Sequence, residues 1–584
     1  MPKHTNKGIQ NRILLIEVIL FLLIGLLGGT AFKIQVLDNT DLASKARGEY
    51  TDHAIIKGKR GDILDRNMNK LATTINAFYL AASPAEIEHP VLDSAKIAAL
   101  LRINRHRLEK QFKTKKNFIF LKRKISPDLA IAIKKIDIKG VFCRNDAIRF
   151  YPNRHLAAQV IGFTGNDNTG LEGLEYQYNS ILKGKTAKIS VTRDGVGRSL
   201  STIKTLKQHL RGDSIVLTID VAIQYVCESA LKKAVIDNKA KSGMAIVMRP
   251  ATGEVLAMAM YPEFNPNSFL DFKQRSWRNR TITDPFEPGS VMKVFVAATA
   301  LDTGVCTPKS IFFCENGDYR IGKFVIHDTH PHGWLTVNQI VKYSSNIGAA
   351  KISEVIGRKA LYDSLFSFGF GQKTFVGCPG ETPGILIPYN DWSDIDAGAI
   401  AFGQGISVSA LQLITGISAI ANGGILMKPL LIKEIISSDG KIKKIYRARP
   451  LRRVASIETA IYVKKMMRSV VEQEGTGTRA AINGYSVCGK TGTAQKVARN
   501  GKGYSKERYT AVFAGFAPEK KPALVVLVVI DEPKLSHYGG TVAAPAFKKI
   551  MTESLNYFHV PPDIPEEKSD MLKEKLVVKN SNGV

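Results

Sequence analysis

Residues 288–304 read Pro-Gly-Ser-Val-Met-Lys-Val-Phe-Val-Ala-Ala-Thr-Ala-Leu-Asp-Thr-Gly. From Ser290 onward the run is helix-forming, and Gly304 supplies its stop. In such a helix Ser290 and Lys293 lie one turn apart on one face, with the amine in reach of the hydroxyl. A serine hydroxyl is a weak nucleophile until a base stands beside it. Lysine serves as that base only when burial or a second cation lowers its pKa. The pair alone is uninformative, because any helix holding both residues produces it.

Two later stretches give it meaning. Ser344-Ser345-Asn346 falls in a region read as helical; Ser344 is placed to relay a proton and Asn346 to hydrogen-bond a substrate amide. Lys490-Thr491-Gly492-Thr493 reads as strand. Lys490 is the expected second cation beside Lys293. Gly492, lacking a side chain, is expected to let a substrate backbone approach the strand edge. The hydroxyls of Thr491 and Thr493 suit a carboxylate, and the backbone N–H groups of Ser290 and Thr493 are expected to form an oxyanion hole.

The flanking patterns set the fold class. Ser214–Asp220 reads as a strand and Val221 to about Val235 as an amphipathic helix. Met244–Met248 and Glu254–Met258 flank Pro250-Ala-Thr-Gly253, a strand–turn–strand signature. Ser486–Gln495, Tyr509–Gly515 and Ala523–Ile530 are three more strands. Two strands early, helices between and three strands late predict an α+β domain whose sheet joins distant parts of the chain, self-contained from Ser214 onward. After Phe558 a segment rich in Pro, Glu, Lys and Asn reads as a disordered tail.

The ordered triple at 290, 344 and 490 resembles the class B penicillin-binding proteins, cell-wall D,D-transpeptidases. Arg60-Gly-Asp-Ile-Leu-Asp-Arg-Asn67 is similar to the family's early box, and Tyr151-Pro152, Val160–Phe163 and Gly170-Leu-Glu-Gly-Leu-Glu175 to its non-catalytic motifs. Leu217–Asp220, Phe402-Gly-Gln-Gly405, Glu474-Gly-Thr-Gly477 and Tyr538-Gly-Gly540 match further on, so the resemblance covers about residues 55–548. Within the family the compact length is most like the FtsI division transpeptidases. Two departures stand out: Met68 where the family often has Gly, and Cys488 where a small Ala is common.

The resemblance implies a chain organised as a cytoplasmic tail (1–12), a transmembrane helix (13–32), an elongated non-catalytic pedestal of dimerisation type (33–212), a transpeptidase domain with a central antiparallel sheet flanked by helices (213–558) and the tail (559–584). It implies cross-linking of peptidoglycan stem peptides ending in D-Ala-D-Ala through a Ser290 acyl-enzyme, with release of D-Ala, in septal wall synthesis. β-Lactams would acylate Ser290. An FtsW-like glycan polymerase of the SEDS type and other divisome membrane proteins are the implied partners. The alternatives are an elongation-specific transpeptidase, or a membrane-tethered scaffold with weak or no catalysis. No cofactor and no metal enter this reading.

Rival readings use the same residues. Gly484–Thr491 satisfies the P-loop pattern, but polar turn residues precede it and Gly492 follows it, where a strand and a helix are required. His327, His330 and His332 sit close together without a familiar ligand spacing. An E-x-x-x-N box that would activate water for deacylation is missing between Asn346 and Lys490, which favours an amine acceptor over hydrolysis. Six Cys leave both pairing and free buried thiols open, Cys306 and Cys314 being the nearest couple.

Location comes from the front of the chain. Ile13–Phe32 carries one charge, Glu17, and is long enough to cross the ~30 Å hydrocarbon core. Lys3, Lys7 and Arg12 precede it without an acidic residue, which predicts a cytoplasmic N-terminus, a single-pass inner-membrane anchor and a periplasmic or otherwise extracytoplasmic body. Of 584 residues, 82 are Lys or Arg and 52 are Asp or Glu, a formal charge of +30. Outside the cytoplasm that charge meets no nucleic acid. The densest basic run, residues 102–124, holds ten Lys or Arg against Glu109 alone and reads as a solvated face, with attraction to anionic lipid or cell-wall polymer as the functional alternative.

Overall fold

The computed structural model describes residues 7–37, 51–192, 209–322, 324–498, 501 and 503–564. The described parts of residues 1–59 and 184–211 form one compact unit, and the described parts of 60–183 and 212–584 a second. The first unit contains a helix over Lys7–Phe32, which includes the predicted span, and an antiparallel pair of strands, Thr51–Lys57 with Thr186–Thr192. Gly8–Val36 is long and apolar enough to cross a membrane.

The second unit is built on two sheets. One has the five strands expected from the sequence, in the order Cys488–Val497, Tyr504–Ala517, Leu524–Asp531, Ser242–Met248, Val255–Tyr261, all antiparallel. Its central seam pairs Val528 with Ala245. Both strands at that seam are buried along their whole length. The period-two alternation of side chains explains why. Met244, Ile246 and Met248 face a core that includes the Lys293–Asp302 and Ala410–Ala421 helices, while Ala245 and Val247 face the Val221–Asp237 and Ala544–Tyr557 helices. A sheet covered on both sides needs no polar face, hence the unbroken apolar run Ala523–Ile530.

A second sheet spans the expected partition at residue 213. Ser214–Leu217 does not join the five-stranded sheet. It lies between Ile63–Leu64, to which it is parallel, and Ile432–Ile436, to which it is antiparallel. The sheet continues through Lys70–Ala82, flanked by Ile119–Ile125 and Val141–Phe150. The pedestal and the transpeptidase domain therefore share backbone hydrogen bonds, while the five-stranded sheet draws all its strands from residues after Ser214. The predicted tail also begins later: Tyr485 Oη donates to Val560 O (2.6 Å) and Ser486 N to Asp563 Oδ1 (2.8 Å), so the folded body runs to Ile564. Residues 565–584 lie outside the described residues.

The motifs of the front part meet in a buried charge cluster. Arg60 Nε donates to Glu175 Oε2 (2.5 Å) and Arg149 Nε to Glu175 Oε1 (2.6 Å), the three side chains being at most 1% exposed. Arg149 Nη1 also donates to Gly61 O (2.6 Å). A Cβ on Gly61 would fall 1.9 Å from Asp213 O, so only glycine fits there. Two residues of the same box cap the next domain's helix: Asp65 Oδ2 accepts from Val221 N (3.2 Å), and Asn67 Nδ2 donates to Asp220 Oδ2 (3.1 Å). Met68, directly after Asn67, has φ +67°, a left-handed conformation that accounts for the family's glycine at this place.

Candidate active site

Ser290 does not open a regular α-helix. Gly289–Met292 is a 3₁₀ turn that passes into the α-helix at Lys293. In a 3₁₀ turn side chains three apart eclipse, which brings Ser290 and Lys293 closer to alignment than an α-turn would. Lys293 Nζ lies 2.9 Å from Ser290 Oγ. It also lies 2.6 Å from Ser344 O and 2.7 Å from Asn346 Oδ1. A neutral amine meets all three: its two N–H bonds donate to the two carbonyl oxygens, and its lone pair accepts from the Ser290 hydroxyl.

The S-x-N segment is a break between helices. Val337–Tyr343 ends at Ser344, which takes φ +63°, and Ser345 caps Asn346–Ile356 by accepting from Gly348 N (2.9 Å). The left-handed Ser344 turns its carbonyl and hydroxyl toward the two lysines, a strained backbone of the kind held at functional sites. Asn346 Nδ2 donates to His327 O (2.8 Å), which fixes its Oδ1 on Lys293. Sequence reasoning missed Asp328. Its Oδ2 accepts from Ser345 Oγ (2.5 Å), and its Oδ1 accepts from the backbone N–H groups of Asn346 and Ile347. An acidic residue in the odd stretch His327-Asp-Thr-His330 was the only available signal.

Lys490, Thr491, Gly492 and Thr493 lie on the sheet's outer strand. Lys490 Nζ donates to Ser344 Oγ (2.8 Å), so Ser344 stands between the two lysines. Lys490-Thr491 sits inside a strand that runs on to Val497, so the P-loop geometry is absent. A Cβ on Gly492 would lie 2.6 Å from Pro288 O and 2.9 Å from Val291 Cγ2, so the bare glycine lets the serine-bearing turn pack against this strand. Gly289 packs the same way, its virtual Cβ 3.1 Å from Thr493 N, which brings the turn before Ser290 against the Thr493 backbone.

The other family motifs support these parts. Gly289 N donates to Gly403 O (3.1 Å), and Gly405 N to Glu287 Oε1 (3.0 Å). Thr476 Oγ1 lies 2.9 Å from Thr491 Oγ1, and Gly539 N donates to Thr493 Oγ1 (3.2 Å). Together they frame a cleft of about 940 Å³ lined by Ser290, Ser344, Asn346, Thr491 and Thr493, with His327, His330 and His537 also on its wall. His327 pairs through Nδ1 with Asp318 (2.5 Å), and His332 stacks on Tyr343, so the three histidines of the 327–332 stretch do not converge. Cys306 and Cys314 are buried free thiols.

Both lysines are shifted down. Burial lowers Lys293 to about 7, while the nearby Asp328 carboxylate pulls it back up. Lys490 is driven well below its usual range by burial and then by the charge of Lys293. Burial thus favours the neutral amine at both positions, and the two amines oppose each other's charge.

Comparisons with known proteins agree with this geometry. Residues 243–552 match the penicillin binding protein transpeptidase domain, and residues 55–217 the penicillin-binding protein dimerisation domain. The chain is 35% identical over 569 residues to the peptidoglycan D,D-transpeptidase FtsI of Escherichia coli K12, covering 96% of this chain and 94% of the relative. It is 34% identical over 560 residues to the stage V sporulation protein D of Bacillus subtilis, covering 94% and 86%. Among solved structures, penicillin binding protein 3 of Mycobacterium tuberculosis in complex with aztreonam superposes with a TM-score of 0.69 at 29% identity, covering 88% of this chain and 99% of that one.

Proposed function

The chain belongs to the class B penicillin-binding proteins of the FtsI type, serine peptidoglycan D,D-transpeptidases, and from that premise we propose how its own residues divide the reaction and where it works. Ser290 Oγ attacks the carbonyl of the penultimate D-Ala of a stem peptide as its proton passes to Lys293 Nζ. The N–H groups of Ser290 and Thr493 hold the developing oxyanion. As the tetrahedral adduct collapses, the C–N bond breaks, and Ser344, bridged to both lysines, passes a proton to the departing D-Ala nitrogen. A stem-peptide amine then attacks the ester, loses its proton back to the lysine side and releases Ser290. Thr491 and Thr493 hold the terminal carboxylate, and Asn346 the substrate amide. β-Lactams enter by the same first step and remain as the acyl-enzyme.

The reading rests on Lys293 Nζ at 2.9 Å from Ser290 Oγ, with its two donor directions taken by carbonyl oxygens. Only a neutral amine leaves a lone pair for the hydroxyl. The test is to label the protein with a fluorescent penicillin, digest it and map the adduct. The label is expected on Ser290; a label elsewhere overturns the assignment.

We further propose a cytoplasmic N-terminus, a single membrane pass over Ile13–Phe32 and catalysis outside the cytoplasm at the division septum, beside an FtsW-like polymerase of the SEDS type. The basic flank before the span and the 35% identity to a relative named FtsI support this. Midcell rings of a fluorescent fusion are expected; lateral patches would overturn the division role in favour of elongation.

A further inference from the structure

The sheet formed by Lys70–Ala82, Ile119–Ile125 and Val141–Phe150 has two unlike faces. One buries Leu80, Ala82 and Ile125 against the helices Pro90–Leu101, Arg105–Phe112 and Pro127–Ile136. On the other, register places Ala81 beside Phe120 and Phe142, and Tyr79 beside Arg144. This face is open, with Phe118 and Phe120 each 44% exposed. Its rings form a continuous group: Tyr79–Phe120 at 5.3 Å, Phe118–Phe120 at 4.8 Å and Phe118–Phe142 at 6.1 Å. Two guanidinium groups lie over them, Arg123 on Phe120 (4.3 Å) and Arg144 on Phe142 (5.1 Å). Lys115 and Lys116 lead into Phe118, and the acidic neighbours are Asp146 and the exposed Asp167, which pairs with Arg123 at 3.0 Å.

We propose that this face binds the cell-wall polymer itself, a carboxylate-bearing polysaccharide, at a surface separate from the catalytic cleft. The chemistry narrows the occupant. A purely apolar partner would strip water from the guanidinium groups without pairing them. A bare polyanion would leave the rings in water. Pyranose rings present C–H faces that pack on aromatic rings, and stem-peptide carboxylates accept paired N–H bonds from arginine. One polymer satisfies both, and the reaction assigned above brings it to this protein. The inference rests on that reading for the identity of the polymer, though not on any residue of the cleft. The basic run of residues 102–124 thereby acquires a role beyond solvation.

The full-length protein in detergent, with Ser290 first saturated by penicillin, is sedimented with purified lipid-free sacculi. Wild type is expected to co-sediment, less so as salt rises. The Phe118→Ala/Phe120→Ala/Arg144→Ala variant should lose roughly tenfold or more in apparent affinity while labelling with penicillin as before. Should the triple variant fail to label, the single Arg144→Glu variant decides, because it leaves every ring in place. Sacculi with amidated carboxyl groups should bind wild type more weakly. Equal sedimentation of a labelling-competent variant, or indifference to amidation, overturns the proposal. Failure of Ser290 to take the label would instead count against the catalytic reading, with sedimentation still reporting on the sheet face.

Discussion

Two groups of cations are buried in this molecule, and they are kept buried by opposite means. In the front part Arg60 and Arg149 grip Glu175 from both sides. In the cleft Lys293 and Lys490 stand on either side of Ser344, with serine and amide oxygens as partners and no carboxylate in contact with either. Arginine does not give up its proton in a protein, so its burial requires a counter-ion. Lysine can become neutral, and burial without a counter-ion drives it there. The first arrangement fixes a geometry; the second prepares a base. Buried positive charge is therefore structural or catalytic according to whether a carboxylate comes with it.

The strongest challenge to this contrast is Lys293→Ala. It should lower penicillin acylation by about 10²–10⁴-fold, the usual worth of a positioned general base. Thermal stability should be little changed, because the hydrogen bonds lost are offset by no longer burying the amine. Stopped-flow acylation beside a melting curve tests both halves. If stability collapsed instead, Lys293 would be structural.

Glu175→Gln is the mirror experiment. Two buried guanidinium groups would lose their carboxylate, a loss of about 3–5 kcal/mol by denaturant titration. Protein that remains folded should still acylate at close to the wild-type rate, since no residue of the cleft touches Glu175. A folded variant with a slow acylation step would show that the front cluster governs the chemistry.

The pH dependence separates the two lysines. Lys293 is protonated below about 7 and neutral above it, so acylation should rise with pH through about 7. Its folded pKa lies below the ordinary 10.5, so the folded state holds fewer protons than the unfolded one between those values. This group should therefore make the protein more stable as pH rises across that window. Lys490→Ala should reduce the acylation amplitude while leaving the midpoint near 7, because burial sets it. A midpoint that moved up by a full pH unit would restore Lys490 as the cause.

The smallest expected effect is on the backbone of the front box. Met68→Gly relieves a left-handed residue that is 51% exposed, and should stabilise by about 1 kcal/mol, read as an upward shift in Tm. No change in acylation should accompany it.

Legibility in the sequence followed the range of the physical signal. The five-stranded sheet could be read because alternation and apolar runs are local, and Ser290 with Lys293 because three residues of spacing suffice. Asp328 could not be read: its carboxylate serves a helix that starts eighteen residues later, and only the hairpin between Asp318 and His327 folds it back. The packing of the serine-bearing turn on Gly492 could not be read either, because a missing side chain does not say what fills the space. The complete burial of Lys293 and Lys490 could not be read, because charge is written in the sequence and burial is not. The partners of Ser214–Leu217 could not be read, because four residues carry no information about which neighbours they pair with.

The strand Ser214–Leu217 has a mechanical consequence. Ser214–Leu217 is held on one side by a strand of the front part and on the other by a strand of the rear. Tension along the chain between these parts would load ladder bonds together, in shear, rather than open them one at a time as a zipper does. A pull on the front part would thus reach the strand Ile432–Ile436 of the rear part as strain across a common sheet. A flexible linker in the same place would slacken and transmit nothing.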